Sequence, residues 1–193
     1  MLNLRKNKLN VMKLKHINFL FVFSLLLFSC DSSEENVASE PLLGIYTISK
    51  SVLTADATSY NGAATVASGT DISAEIVTAF LGEIVCQSAA NKAIEIADGN
   101  KINFICRFED KTQDQGSWAI NAQRTELTLT LLIQGNLVPL KITSVVESSS
   151  KISGNIASIP VPPILLASIN PLFSGILEEY LLISINLELE RLN

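Results

Sequence analysis

The feature that most constrains the fold is a strict alternation of apolar and polar residues near the C-terminus. Aliphatic residues occupy every second position from Leu181 to Leu189, and mostly polar residues lie between them. Successive side chains in a β-strand point to opposite faces, so this period of two predicts a strand with one buried face and one mostly wet face. The pattern recurs over Leu127–Ile133 and Leu137–Val146. The second half of the chain is therefore predicted to form antiparallel β-structure.

Further segments extend this pattern into a meander. The other predicted strands are residues 43–52, 93–97, 101–108, 116–123 and 151–159. Seven or eight antiparallel strands, each with one apolar face, need either a second sheet or closure on themselves, and closure removes edge strands. The predicted fold class is mainly β, an antiparallel meander closing into a barrel of about eight strands. Such a barrel holds side chains only, or one small ligand.

One helix is predicted to interrupt the strands. Ile76 and Phe80 belong to an apolar set at helical spacing, and Thr70 or Asp71 can cap the start of the helix. The predicted helix covers about residues 71–85. It follows the first strand and is the clearest break in an otherwise β-like chain.

The remaining segments are predicted to be loops and short helices. Residues 59–69 read as a loop or weak strand, and the polar residues 109–115 as a loop. Residues 160–180 are apolar but contain four prolines, which predicts short helices at about 162–178. Two interpretations of these helices stay open: they pack as core over the end of the barrel, or they form a lid over a pocket or a partner-binding patch. The residues concerned are Leu165, Leu166, Leu172, Phe173 and Leu177.

The N-terminus has the organisation of a secretory signal. Lys13 and Lys15 precede the apolar run Ile17–Phe28, which is too short for a membrane-spanning helix. The run ends in Leu27-Phe28-Ser29-Cys30, which resembles a bacterial lipobox. That resemblance implies cleavage before Cys30 and acylation of this residue, which would anchor the protein to a membrane by lipid. The alternative is an ordinary signal peptide with an incidental cysteine.

The signal divides the chain into three predicted parts. Residues 1–29 form the lipoprotein signal peptide, residues 30–41 a polar, acidic, disordered tether, and residues 42–193 the barrel domain. Acidic and serine residues after the lipid cysteine resemble the export signal of surface lipoproteins in the Bacteroidetes group. This resemblance implies the outer membrane and the cell surface, with the periplasmic face as the alternative. Against this location, an aspartate directly after the lipid cysteine, the position of Asp31, retains lipoproteins at the inner membrane in enteric bacteria.

Charge and histidine content exclude several functions. Residues 1–29 contain five of the 14 basic residues and no acid, so the mature part has nine basic and 19 acidic residues, a net charge of −10. Nucleic-acid binding needs clustered Lys and Arg and is therefore disfavoured. The only histidine, His16, lies in the signal, which excludes catalytic triads and metal sites that need imidazole. Motifs for an activated serine or a phosphate loop are also missing, so we expect no catalytic residues, no metal, no cofactor and no enzymatic activity.

Two cysteines remain beyond Cys30. Cys86 and Cys106 lie 20 residues apart in a chain expected to be exported, where disulfides form. A bridge between them is one interpretation, and two buried free thiols are the other.

Several short motifs resemble the lipocalin-like (calycin-type) domains of Bacteroidetes lipoproteins. They are Gly44-Ile45-Tyr46 near the start, Cys86 before a hairpin turning at Asp98-Gly99, Gly116-Ser117-Trp118 and the Leu-rich closing strand. The resemblance implies a binding protein whose barrel takes a small hydrophobic molecule. The candidate lining residues are Tyr46, Phe104, Trp118, Leu129 and Leu131, each of which has ordinary core packing as its alternative. A non-catalytic structural or interaction module of a cell-surface complex, with an envelope protein as partner, is the second functional class.

Overall fold

The long strands close into one antiparallel ring. The structure, a computed structural model, describes residues 42–133 and 135–192. Its ten strands are β1 (Gly44–Leu53), β2 (Ala57–Thr58), β3 (Thr65–Val66), β4 (Lys92–Ala97), β5 (Lys101–Cys106), β6 (Lys111–Ile120), β7 (Glu126–Ile133), β8 (Asn136–Glu147), β9 (Lys151–Val161) and β10 (Leu181–Leu192). From β4 to β10 each strand pairs with the next, and β1 pairs with both β4 and β10. The predicted mainly β fold, an eight-stranded closed antiparallel barrel, is confirmed. Such a barrel is compatible with a lipocalin-like fold.

The two ends of the barrel differ in the connections that they carry. The base is the end at which β1 begins at Gly44, and it otherwise carries three short turns. The opposite end carries the two long connections, residues 54–91 and 162–180, which together we call the cap. Within the cap, β2 and β3 pair only with each other. The predicted signal peptide 1–29 and tether 30–41, including Cys30, lie outside the described residues.

The cap contains one α-helix and short 3₁₀ helices. They are α1 (Ser73–Leu81), η1 (Ala89–Asn91), η2 (Pro163–Ser168) and η3 (Pro171–Gly175). The helix is shorter than the predicted 71–85, and the Lys92 ammonium donates a hydrogen bond to the Leu81 carbonyl oxygen (2.7 Å) at its end. The short helices predicted at about 162–178 are present, with a proline at the start of each. No described helix is both long enough and apolar enough to span a bilayer.

The alternation in sequence fills the barrel with aliphatic side chains. In β10 the residues at alternate positions from Leu181 to Leu189 are all buried, as predicted. The close approach of two strands requires a glycine at position 116. A Cβ on Gly116, whose φ is +145°, would lie 1.9 Å from the Thr130 carbonyl oxygen. Glycine is therefore required where β6 meets β7.

Two local predictions were wrong. Lys111–Gln115 was expected to be loop but forms the first half of β6, paired with β5. The residues before Gln115 are polar and exposed on both faces, so no apolar alternation marks the strand. Phe108 was expected to end the strand predicted over residues 101–108, but it lies in the turn after β5 with φ 65° and is 85% exposed.

Candidate functional site

The interior of the barrel is almost completely filled by its own side chains. A residual cavity of about 20 Å³ remains, and every residue that lines it is apolar. Holding one water takes roughly 10–15 Å³, whereas a cavity that binds benzene has on the order of 150 Å³. The lining residues are Ile48, Ile76, Phe80, Ile94, Leu129, Leu131, Leu140, Ile156, Ile159, Ile185, Leu187 and Leu189. This cavity, which is lined entirely by described residues, has space for nothing larger than about one water molecule.

Two of the five candidate lining residues reach this cavity. Leu129 and Leu131 contribute to its wall. Tyr46, Phe104 and Trp118 are buried, with 1%, 0% and 5% of their surface exposed, but they do not line it. The structure therefore places these three residues in the packed core rather than around a common pocket.

Trp118 closes the wall near the base. Its indole Nε1 donates a hydrogen bond to the Ala97 carbonyl oxygen (2.9 Å), and its backbone N–H donates to the Asn100 carbonyl oxygen (3.0 Å). A buried indole N–H needs such a partner. These bonds tie β6 to the turn between β4 and β5, which is a structural role.

Helix α1 plugs the barrel from the capped end. Ile76 and Phe80, four residues apart on one helical face, are 1% and 5% exposed and line the residual cavity. The helix is fastened to the wall because the Ser51 backbone N–H donates a hydrogen bond to the Ser73 hydroxyl (2.8 Å). The space that a small molecule would need is thus occupied by side chains from the cap.

A disulfide holds the cap to the wall behind this helix. Cys86 follows α1 in the cap, Cys106 ends β5, and their Cα atoms are 5.4 Å apart across the bridge. Their sulfur atoms and the Glu109 carboxylate lie within 4.8 Å of one another, the one group with metal-ligand spacing among the described residues. Metals bind thiolates, and the bridged sulfurs offer none. This group therefore supports no metal site while the bridge is intact.

A buried tyrosine closes the base. The Tyr46 hydroxyl donates a hydrogen bond to the Leu42 carbonyl oxygen (3.0 Å) and accepts one from the Arg191 guanidinium (2.8 Å). The same guanidinium donates to the Leu43 carbonyl oxygen (2.8 Å) and lies 5.4 Å from the centre of the Tyr46 ring. Burial raises the pKa of Tyr46, and Arg191 opposes part of that increase. These contacts join the first and last strands at the base.

Apolar side chains are exposed on the cap. Seven of the twelve large apolar residues that are exposed in the described chain belong to it. They are Tyr60, Val85, Ile164, Ile169, Leu172, Leu177 and Tyr180. Exposed apolar residues clustered in one region are typical of an interaction surface, whereas scattered ones need no explanation.

The most exposed of these residues border a shallow groove. Its walls are formed by Asn61, Gly175, Ile176, Leu177 and Glu178, which we call the cap groove. Leu177 is 98% exposed, and Tyr60, next to Asn61, is 95% exposed. The Glu178 carboxylate accepts a hydrogen bond from the Tyr60 backbone N–H (3.0 Å), so the two segments of the cap meet here.

The cap also carries all of the net charge of residues 42–193. Its acidic residues are Asp56, Asp71, Glu75, Glu83, Glu178 and Glu179, and it contains no Lys, Arg or His. The remaining residues of 42–193 contain nine acidic and nine basic residues, which balance. The segments that expose the apolar residues are therefore also the acidic segments of the domain. Both interpretations of residues 162–178 hold in part: Leu166 and Phe173 are buried as core, whereas Leu172 and Leu177 are exposed as a partner-binding patch would be. The acidic character of the region was not predicted, although the missing basic residues in 54–91 and 162–180 were the signal.

Comparisons with known proteins give this site no precedent. No protein-family model, curated protein or solved structure matches the chain.

Proposed function

We propose that this protein is a non-catalytic, lipid-anchored envelope lipoprotein that binds a partner protein through its cap. The single observation that carries the proposal is the pairing of a filled interior with an exposed apolar cap. A 20 Å³ cavity gives a ligand no space, whereas Leu177 and Tyr60 are almost fully exposed. Partner proteins bury such aromatic and aliphatic side chains in the centre of an interface.

The proposed anchor is lipid on Cys30, which we place at the outer membrane and on the cell surface. Its support is the signal-like sequence that ends at Cys30 and the acidic residues that follow. The described chain starts at Leu42, at the base, so a tether from Cys30 joins the barrel at the end opposite the cap. Cys30→Ser should move the protein from the membrane fraction to the soluble fraction. Retention of the variant in membranes would reject this anchor.

A cross-linking experiment tests the binding surface. A photoreactive amino acid replaces Leu177 in the cap groove or, as the matched control, Val146 near the base, which is 65% exposed. Both full-length variants are irradiated in the cells that make the protein. We expect a discrete cross-linked product from position 177 and none from position 146. Equal products from both positions, or none from either, would contradict a partner surface on the cap.

A second candidate function is storage of a small hydrophobic molecule in the barrel. The observation that favours it is that one helix, through Ile76 and Phe80, supplies the plug of an otherwise apolar interior. Displacing α1 would open a site for such a molecule. Native mass spectrometry of protein purified from its own envelope tests this function: a retained small molecule supports it, and an unliganded mass rejects it.

A further inference from the structure

We infer that the partner bound by the cap presents a basic, amphipathic segment, with apolar side chains for the cap groove and Lys or Arg around them. The inference rests on the proposed function, because it names the chemistry of the partner at the same surface. The inference follows from the position of the charged residues. The filled interior and the exposed Leu177 alone do not determine the charge of a partner.

The charge of the domain is distributed unevenly between the cap and the remaining residues. The cap contains six carboxylates and no basic residue of its own, and the ammonium groups of Lys92 and Lys111 contact it only at the Leu81 and Val85 carbonyl oxygens. The rest of residues 42–193 has balanced charge. A surface with one sign of charge attracts the opposite sign and speeds its association, most strongly at low salt. An anionic partner would be repelled at the same surface. Charge complementarity therefore selects a cationic partner.

The cap groove places charge and apolar surface side by side. Glu178 forms one wall beside Ile176 and Leu177, and Glu179 follows it as an exposed carboxylate. On a partner helix, apolar residues three and four positions apart would fill the groove, and Lys or Arg at flanking positions would face the exposed Glu179 carboxylate. The Glu178 carboxylate is turned inward, with one oxygen bonded to the Tyr60 backbone N–H and the other buried. Apolar contact supplies affinity and the charges supply orientation and selectivity.

The same charges argue against two other occupants. A second copy of this chain docked through its own cap would bring another six carboxylates to the interface, and like charges brought together across an interface are costly. A membrane with anionic lipids would be repelled likewise. A basic protein segment is the occupant that both the charge and the exposed leucines fit.

The test uses two synthetic peptides and the purified full-length chain. One peptide places leucine and lysine at helical spacing, and the other has glutamate at every lysine position. Binding is measured by fluorescence anisotropy at about 0.05 M and about 0.5 M salt, between which the Debye length falls several-fold. We expect the lysine peptide to bind at low salt and to weaken at least about tenfold at high salt, and the glutamate peptide not to bind.

Matched charge variants locate the site. Glu179→Lys with Gly175→Lys adds three positive charges at the cap groove, and an added Cβ on Gly175 meets no atom within 4 Å. Glu190→Lys with Ser149→Lys adds the same charge at exposed positions of the base. We expect the cap variant to bind the lysine peptide about tenfold more weakly at low salt, and the base variant to match the wild type.

The outcomes separate the inference from the proposed function. Equal binding of both peptides, no binding of the lysine peptide, or equal losses in the cap and base variants would each overturn the basic partner. A dimer that forms with increasing concentration and disappears in Leu177→Ser would overturn it as well. The proposed function is judged separately by the cross-link from position 177, which requires no particular charge on the partner.

Discussion

The two ends of the barrel are closed by different means. At the base, strand register alone brings Tyr46 beside Arg191, and one hydroxyl and one guanidinium complete the closure. At the capped end, an inserted helix places Phe80 inside and a disulfide holds the connection behind it. The comparison indicates that the base is a consequence of forming the barrel, whereas the cap is an addition with its own charge and exposed apolar surface. An addition of this kind is where binding is expected.

The largest effect on stability is expected from truncating Phe80, one of the side chains that α1 inserts into the barrel. Phe80→Ala should lower the free energy of unfolding by about 3–5 kcal/mol, because it removes a buried aromatic ring and leaves a cavity. The matched control is Leu177→Ala, 98% exposed, for which we expect a change below about 0.5 kcal/mol. Urea unfolding of both variants gives the comparison. A loss below about 1 kcal/mol for Phe80→Ala would mean that α1 packs on the barrel only loosely.

The second effect concerns the bridge between cap and wall. Replacing Cys86 and Cys106 together by serine should lower the free energy of unfolding by about 3 kcal/mol, because the unfolded chain gains the freedom of a closed loop. Hydrogen exchange should also rise in residues 73–81 more than at the base. Equal exchange increases at both ends would contradict a local role in holding the cap, whatever the change in stability.

The sequence predicted the barrel better than it predicted the cap. Strict alternation, as in Leu181–Leu189, follows from one buried face and one wet face, so the ring and most of its strands were predictable. Strand Lys111–Gln115 was missed because its residues before Gln115 are exposed on both faces and carry no apolar period. Helical spacing identified Phe80 correctly, but no local pattern says whether a helix lies outside a barrel or plugs it. That depends on contacts distant in sequence.

The candidate site was less predictable for a physical reason. Trp118 and Phe104 were proposed as ligand contacts because aromatic residues serve both cores and pockets, and residue type cannot separate the two. In the structure both side chains are buried and neither lines the 20 Å³ cavity, so their role as ligand contacts stays a prediction. Exposure of Leu177 was equally hidden, because its neighbour Phe173, also apolar, is completely buried.

A smaller effect is expected at the base. Tyr46→Phe should lower the free energy of unfolding by about 1–2 kcal/mol at neutral pH, because it removes the hydroxyl shared by Leu42 and Arg191. The raised pKa of Tyr46 means that the unfolded chain loses its proton first. Wild-type stability from this group is therefore complete below about pH 10 and is lost as pH rises from there through the pKa in the folded state.

Tyr46→Phe should remove this loss of stability at alkaline pH. The matched control Tyr60→Phe, at a position that is 95% exposed, should still show it. Urea unfolding at several pH values between neutral and alkaline measures both. If Tyr46→Phe loses the same amount of stability at alkaline pH as the wild type, the loss comes from the titration of another group and not from Tyr46.

The smallest effect on stability is expected at Asp71, just before helix α1. The Asp71 carboxylate accepts hydrogen bonds from the hydroxyl and the backbone N–H of Ser73, which, with Lys50 nearby, lower the pKa of Asp71. Because the pKa is lower in the folded state, this stability is present above the unfolded value, near pH 4, and is lost as pH falls through the folded value. The residue at the N-cap is Ile72, not the predicted Thr70 or Asp71, so the Asp71 carboxylate acts in an exposed turn before the helix. Asp71→Asn should cost about 0.5 kcal/mol at neutral pH and progressively less in acid. The exposed Asp110→Asn is the control, compared by thermal unfolding across this pH range. A loss of stability that stays constant in acid would show that the Asp71 side chain stabilises the start of α1 through hydrogen bonds that do not need its charge. The start of the helix would then be held by neutral contacts, as the interior of the barrel is.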